Sequence, residues 1–202
     1  AGVRCDARIQ LLISGRGTKE SYEEQGELQL TDYGISGIPV FQLSRFAAAA
    51  LDAGRQVKAS IDFLPGFRDN EALWQGLVNK KIIQTAVKLC GLSMGDRAER
   101  KNLPAIRKVF ALLRSFEVQV TDTNPFANAQ VCAGGVPLTE VDGHLESRIC
   151  PGLYLAGELL DADGRCGGYN LQWAWTTGYI AGKDAVLSLG KPAGQRKKGK
   201  RE

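Results

Sequence analysis

Four glycines, Gly157, Gly164, Gly167 and Gly168, lie between an apolar run, Leu153–Ala156, and a helix-forming stretch from about Asn170 to Leu189. A strand, a glycine-rich loop and a helix in that order aim free backbone N–H groups and the positive end of a helix dipole at an anion. Gly167 and Gly168 have no Cβ, so a ligand can approach the backbone closely, and Asn170 is placed to cap the helix. Along that helix Ala174, Gly178, Ala181, Gly182 and Ala185 form a stripe of small residues that permits close packing on a sheet. Two further glycine loops stand out. Cys132–Val136 follows a strand-like stretch, Ala129–Ala133, and Thr31–Gly37 leads into a helix opened by Pro39. Taken singly, each loop is equally the pattern of a tight turn that needs positive φ.

Together, three segments carry a resemblance: Thr31-Asp32-Tyr33-Gly34-Ile35-Ser36-Gly37, Ala133-Gly134-Gly135-Val136, and the long ordered stretch from Gly152 through Gly157-Glu158-Leu159-Leu160-Asp161 and Gly167-Gly168-Tyr169-Asn170-Leu171 to Ala174. In this order they resemble the BaiN/RdsA-type FAD-dependent oxidoreductases (flavoproteins of the YhiN-like kind), over essentially the whole chain up to Leu189. The resemblance implies a two-part FAD domain with a barrel and helical lobe inserted between its halves. It implies FAD as cofactor and NAD(P)H as reductant, with hydride passed to an activated C=C bond of a small molecule or of a uridine in ribosomal RNA. It places Glu158 on the ribityl hydroxyls, where a carboxylate is a strong acceptor. Gly157 and Gly167, Gly168, Tyr169, Asn170 and Leu171 belong to the loop that presents backbone N–H groups to flavin or pyrophosphate. Gly134, Gly135 and Val136 line the isoalloxazine, and Asp161 orients the loop. The chain has no G-x-G-x-x-G unit for the ADP end of FAD and no acid for the adenine ribose. No catalytic residue is assigned. Cys166, at a helix N-terminus where thiol pKa values fall, competes with Tyr33 and Tyr169 as proton donor, against the ordinary fate of a packed, inert Cys.

The elements that must position these loops follow from hydrophobic period. Val3, Cys5, Ala7, Ile9, Leu11 and Ile13 alternate with polar residues, as do Leu28 and Leu30, Val57 to Phe63, and Phe116 to Val120. Half-buried alternating strands mark an antiparallel sheet, here expected as a small barrel or curled sheet that removes exposed edges. Pro39, the helix formers of Phe41–Leu51 and the stop at Gly54 predict one helix. A second helical stretch is expected over about Asp69–Leu89, one helix or two since its phase slips at Asn79–Lys81, and Asn102 with Pro104 opens a third. Leu153–Ala156, apolar without alternation, predicts a strand covered on both faces. The expected class is α+β. Residues 1–123 form a barrel domain with a helical lobe at about 66–103, 124–189 the C-terminal α/β piece of an FAD-binding domain, and 190–202 a disordered tail.

Composition excludes other classes. Forty-four percent hydrophobic and 24% charged residues describe a globular chain, and no apolar run approaches the roughly 20 residues of a spanning helix. Five cysteines, an odd count without a C-x-x-C pair, suggest neither a disulfide framework nor a zinc ribbon, and point to a reduced, cytoplasmic chain. His144 is the sole histidine, which excludes a His-rich metal site and reads as a turn residue after Asp142-Gly143. Neither a metal nor a membrane partner is expected. The net charge of +4 resides in residues 191–202, with six Lys or Arg and one acid; the other 190 residues hold 20 basic and 21 acidic side chains. An alternative function follows from that tail: a non-catalytic module binding RNA or protein through barrel and tail. Ala1 is not an initiator and Met94 is the only methionine, so the chain reads as a fragment whose partner is a missing N-terminal half.

Overall fold

A computed structural model describes residues 2–15, 17–67, 78–96 and 102–189. The chain divides into two compact units, residues 1–123 and 124–202.

In the first unit the alternation of Val3 to Ile13 becomes β1 (Val3–Gly15), with Ala7, Ile9, Leu11 and Ile13 buried and Arg4, Asp6 and Gln10 exposed. It pairs antiparallel along its whole length with β2 (Thr18–Leu30), from Val3 opposite Leu30 to Gly15 opposite Thr18. The strand signal at Leu28 and Leu30 therefore understates β2. Residues 18–26 lack apolar alternation, and the ladder to β1 carries them. A short β3 (Ile35–Ser36) pairs with the end of β2. On the other side of β1 lies β4 (Gln56–Asp62), and β5 (Phe116–Val120) pairs with β4. The order is β3-β2-β1-β4-β5. The expected antiparallel sheet is thus present with five strands, of which β3 and β5 are end strands, not paired to each other among the described residues.

Three helices cover the sheet. Helix α1 (Ile38–Asp52) has Pro39 in its first turn, where the missing N–H costs nothing, and ends where Gly54 N–H donates to Leu51 O at 2.8 Å. Its Phe46 ring stacks on Tyr22 of β2, centroids 3.9 Å apart. Helix α2 (Lys80–Leu89) starts where the sequence phase slips, because Asn79 Oδ1 caps Lys81 N–H at 3.0 Å. The rest of the stretch expected as helix, residues 69–77, lies outside the described residues apart from this start. Helix α3 (Leu103–Arg114) opens at Asn102 and Pro104, and Leu113 O accepts from Phe63 N–H at 2.8 Å. The helical lobe therefore runs beyond residue 103. Side chains from the sheet and all three helices form one core, including Ile9, Ile61, Leu43, Ile83, Val87 and Leu113. Each such buried side chain contributes about 1.5–3 kcal/mol.

The second unit is built differently. It holds α4 (Tyr169–Leu189) and one-turn 3-10 segments at Phe126–Asn128, Leu138–Glu140 and Gly157–Leu159. The doubly covered strand expected at Leu153–Ala156 is not formed. Tyr154 makes a one-residue bridge to Glu146, and Leu153 is exposed. Ala129–Ala133 is likewise exposed and not a strand. An apolar run becomes a strand only where neighbouring strands take up its N–H and C=O groups, and the described residues give this one a single bridge. The buried cluster is small: Val141, Leu145, Leu155, Leu160 and Ala181. Among the described residues no helix is long and apolar enough to cross a membrane. The basic tail lies outside the described residues.

Candidate functional site

Two loops and the start of α4 are tied together within the second unit. Val136 N–H donates to Leu159 O and Asp161 N–H to Val136 O, both at 2.8 Å, around a parallel bridge between Val136 and Leu160. Gly135 is what lets these segments meet. A Cβ there would lie 2.6 Å from Leu159 O. Its role is the approach of two backbones, whereas Gly134 faces open space. Asp161 joins this contact through its backbone N–H alone.

From Leu160 the chain returns to α4 through a loop clamped by Asn170. Its Oδ1 accepts from Gly164 N–H at 2.6 Å and its Nδ2 donates to Gly164 O at 3.1 Å. This corrects the capping role expected of Asn170: its amide lies within the first turn and holds the loop, not the helix end. Gly167 and Gly168, at φ of +125° and +94°, have open space where a Cβ would stand. The helix ladder begins with Gln172 N–H to Gly168 O at 3.0 Å. The first-turn N–H groups of Tyr169, Asn170 and Leu171 have no intrahelical acceptor, and the Tyr169 and Leu171 side chains are exposed.

A second clamp was not legible in the sequence. Thr177, 2% exposed, accepts from Gly157 N–H at 2.9 Å and donates to Trp173 O at 2.6 Å. The Trp173 indole N–H donates to Gly157 O at 3.1 Å. Both backbone groups of Gly157 are thereby fixed to α4, and the next residue, Glu158, stands exposed on a one-turn segment. The available signal was a hydroxyl at the centre of the small-residue face, between Ala174 and Ala181.

The stripe of small residues is itself divided. Ala174, Ala181 and Ala185 turn toward the unit, while Gly178 and Gly182 are exposed. His144 occupies the expected turn, with its N–H and that of Glu146 both held by Asp142 Oδ1, and its ring Nδ1 lies 3.0 Å from Asp184 Oδ2.

The candidate proton donors stay dispersed in character. Cys166 is exposed in the turn before α4, Tyr169 is exposed beside it, and Tyr33 is exposed on its own loop in the first unit. Cys5 is the opposite of a nucleophile, since burial, then Asp6 and Glu27, push its thiol up to about 11. It borders a cleft of about 380 Å³ in the first unit with Arg4, Asp6, Phe63 and Asn79. Among the described residues no three His, Cys, Asp or Glu are grouped to hold a metal.

Two family models match the chain: the HI0933-like protein barrel and H2TH domain over residues 1–74, and the HI0933-like protein Rossmann domain over residues 74–184. The border between them falls inside the first structural unit, because α2, α3 and β5 pack with the sheet. The 3-dehydro-bile acid delta(4,6)-reductase of Clostridium scindens is 41% identical across 92% of this chain and 49% of the reductase. The ribosomal RNA dihydrouridine synthase of Escherichia coli is 28% identical across 80% of this chain and 42% of the synthase. That of Haemophilus influenzae is 27% identical across 76% and 40%. The chain spans about half the length, or less, of these curated relatives.

Proposed function

The chain belongs to the HI0933-like family, and from that premise we propose that it supplies the inserted sheet domain and one wall of the flavin site of an FAD-dependent reductase. One observation carries this reading: the open glycine backbone at Gly134, Gly167 and Gly168, the first-turn N–H groups of α4 that lack an intrahelical acceptor, and an exposed carboxylate, Glu158, occur in one unit.

These residues fit one end of FAD. Gly167, Gly168 and the N–H groups of Tyr169, Asn170 and Leu171 would receive the pyrophosphate or the polar edge of the flavin. Glu158 would accept from ribityl hydroxyls, and Gly134 with Val136 would flank the ring. The ADP end finds no holder here, since the chain contains no G-x-G-x-x-G. Bound FAD supplies two-electron chemistry, with hydride taken from NAD(P)H and passed to an activated C=C bond. The protein's part is placement. Trp173 and Thr177 hold Gly157, and Asn170 holds Gly164, so that the loop meets a ligand already ordered and little entropy is lost on binding.

For substrate we favour a small molecule with a conjugated C=C bond over an RNA uridine, because identity is 41% to the bile acid reductase and 28% to the RNA synthase. In the protein completed by the half it does not span, Glu158→Ala should weaken FAD affinity by about tenfold or more, the worth of one charged hydrogen bond. Unchanged flavin occupancy would remove Glu158 from the site. A second reading, an RNA- or protein-binding module, rests on the basic residues 191–202. RNA affinity that falls steeply with salt and vanishes on deleting them would favour it.

A further inference from the structure

Charge is distributed unevenly along the chain. Residues 78–115, which contain α2 and α3, hold nine Lys or Arg and two acids, whereas residues 1–77 and 116–190 together hold 11 Lys or Arg and 19 acids. The sheet neutralises its own bases: Arg4 meets Glu27, Arg8 meets Glu23, Arg55 meets Glu20 and Lys58 meets Glu117. On α2 and α3, Lys80, Lys81, Lys88 and Lys108 are exposed, and among the described residues no acid takes up their ammonium groups. Folding gains nothing from part of this placement. Lys80 and Lys81 stand in the first turn of α2, where the positive end of the helix dipole disfavours cations and no acid offsets them. Beside these lysines lies an open groove of about 500 Å³, lined by Leu89, Cys90, Ala111 and Leu112 together with Lys108 and Ser115. Leu89 is 62% exposed there, and Lys88 precedes it in the last turn of α2.

We propose that the groove between α2 and α3 docks an acidic amphipathic helix of a partner protein. Its apolar side chains would cover Leu89, Ala111 and Leu112, and its carboxylates would meet Lys88 and Lys108, the mode in which a helix lays its apolar face into a groove. Two features of the surface favour this occupant. A small-molecule site encloses most of its ligand, whereas this groove is open along its length. Nucleic-acid binding needs phosphate contacts and, for a single strand, exposed rings for the bases. Phe110, the aromatic residue of α3, is half-buried, and an exposed Leu89 adds nothing to a phosphate contact. Charge and apolar surface side by side call for a partner that has both. A second copy of this chain is a poor match, since Glu20, Glu23 and Glu27 of its acidic strand β2 are already held by arginines.

The test uses the 202-residue chain and fluorescently labelled synthetic peptides stapled as helices. One peptide carries leucines along one face and glutamates along both flanks. A second has lysines in place of the glutamates, and a third has serines in place of the leucines. Fluorescence anisotropy should show saturable one-to-one binding of the first, weaker by about tenfold or more for either control. Lys108→Glu combined with Ala111→Glu changes two exposed positions of α3 to a good helix former, so the circular dichroism of the chain should be retained. That double variant should bind the first peptide about tenfold or more weakly. Equal binding of all three peptides, or no binding of the first, would overturn the proposal. So would undiminished binding by the double variant, the result expected if the peptide is held by the basic residues 191–202 instead. A duplex RNA that binds more tightly than the first peptide and loses affinity in the same variant would overturn it as well.

Discussion

The two units handle apolar side chains in contrasting ways. In residues 1–123 the sheet and three helices bury Ile9, Leu28, Ile61 and Leu113 almost completely in one core. In the second unit five side chains form the buried cluster, while Leu153, Leu159, Leu171, Trp175 and Tyr179 remain exposed. The first unit has the larger core, although Ile38, Phe41 and Leu89 among others stay exposed. The second leaves these apolar residues exposed, and its glycine loop and the start of α4 lie in that unit. On the proposed reading, the larger core and the candidate flavin loop thus lie in different units.

The contrast can be broken by mutation. Ile9→Ala, at 1% exposure in the full core, should destabilise the first unit by about 2–5 kcal/mol in urea unfolding. Leu160→Ala, equally buried but in the small cluster, should cost less, read by hydrogen exchange of residues 134–161. Equal losses would erase the distinction. Gly135→Ala forces a Cβ against Leu159 O at a φ of +137° and should cost about 1–3 kcal/mol, opening the Val136–Leu160 bridge to exchange. Thr177→Val leaves the part-buried Gly157 N–H without its acceptor, a loss of about 1–3 kcal/mol at most that should show as faster exchange at Gly157 while the first unit is unaffected. The smallest effect concerns the first unit's surface. Hydrogen bonds from Arg55 and then Tyr22 hold the Glu20 carboxyl below its ordinary value of 4.5. Its contribution is complete above pH 4.5 and is lost as the pH falls through the lower folded value. Glu20→Gln should therefore flatten the acid limb of the stability curve without altering stability's slope near neutrality.

What could be read from the sequence follows the same division. The alternation of Val3 to Ile13 announces β1 because one face of that strand is buried and the other is wet. Thr18–Gly26 carries no such signal, since its strand state comes from hydrogen bonds to β1 rather than from burial of its side chains. Leu153–Ala156 misled in the opposite sense: apolarity marks where a layer is to be covered, and pairing partners decide whether a strand forms. At the site, the glycines and Asn170 were visible by type. Their duties were not, because Gly135 serves a close approach, Asn170 reaches back to Gly164, and the Trp173–Thr177 clamp is written in residues that look like ordinary helix packing.

The central claim is that the loop and helix start of the second unit hold FAD once the rest of the fold is supplied. Titrating FAD against the chain alone and against the chain mixed with the complementary half of the Clostridium scindens reductase tests it directly. We predict saturable, stoichiometric quenching of flavin fluorescence in the mixture and none with either part alone. Absence of binding in the mixture would contradict the account and bring the RNA- or protein-binding reading forward.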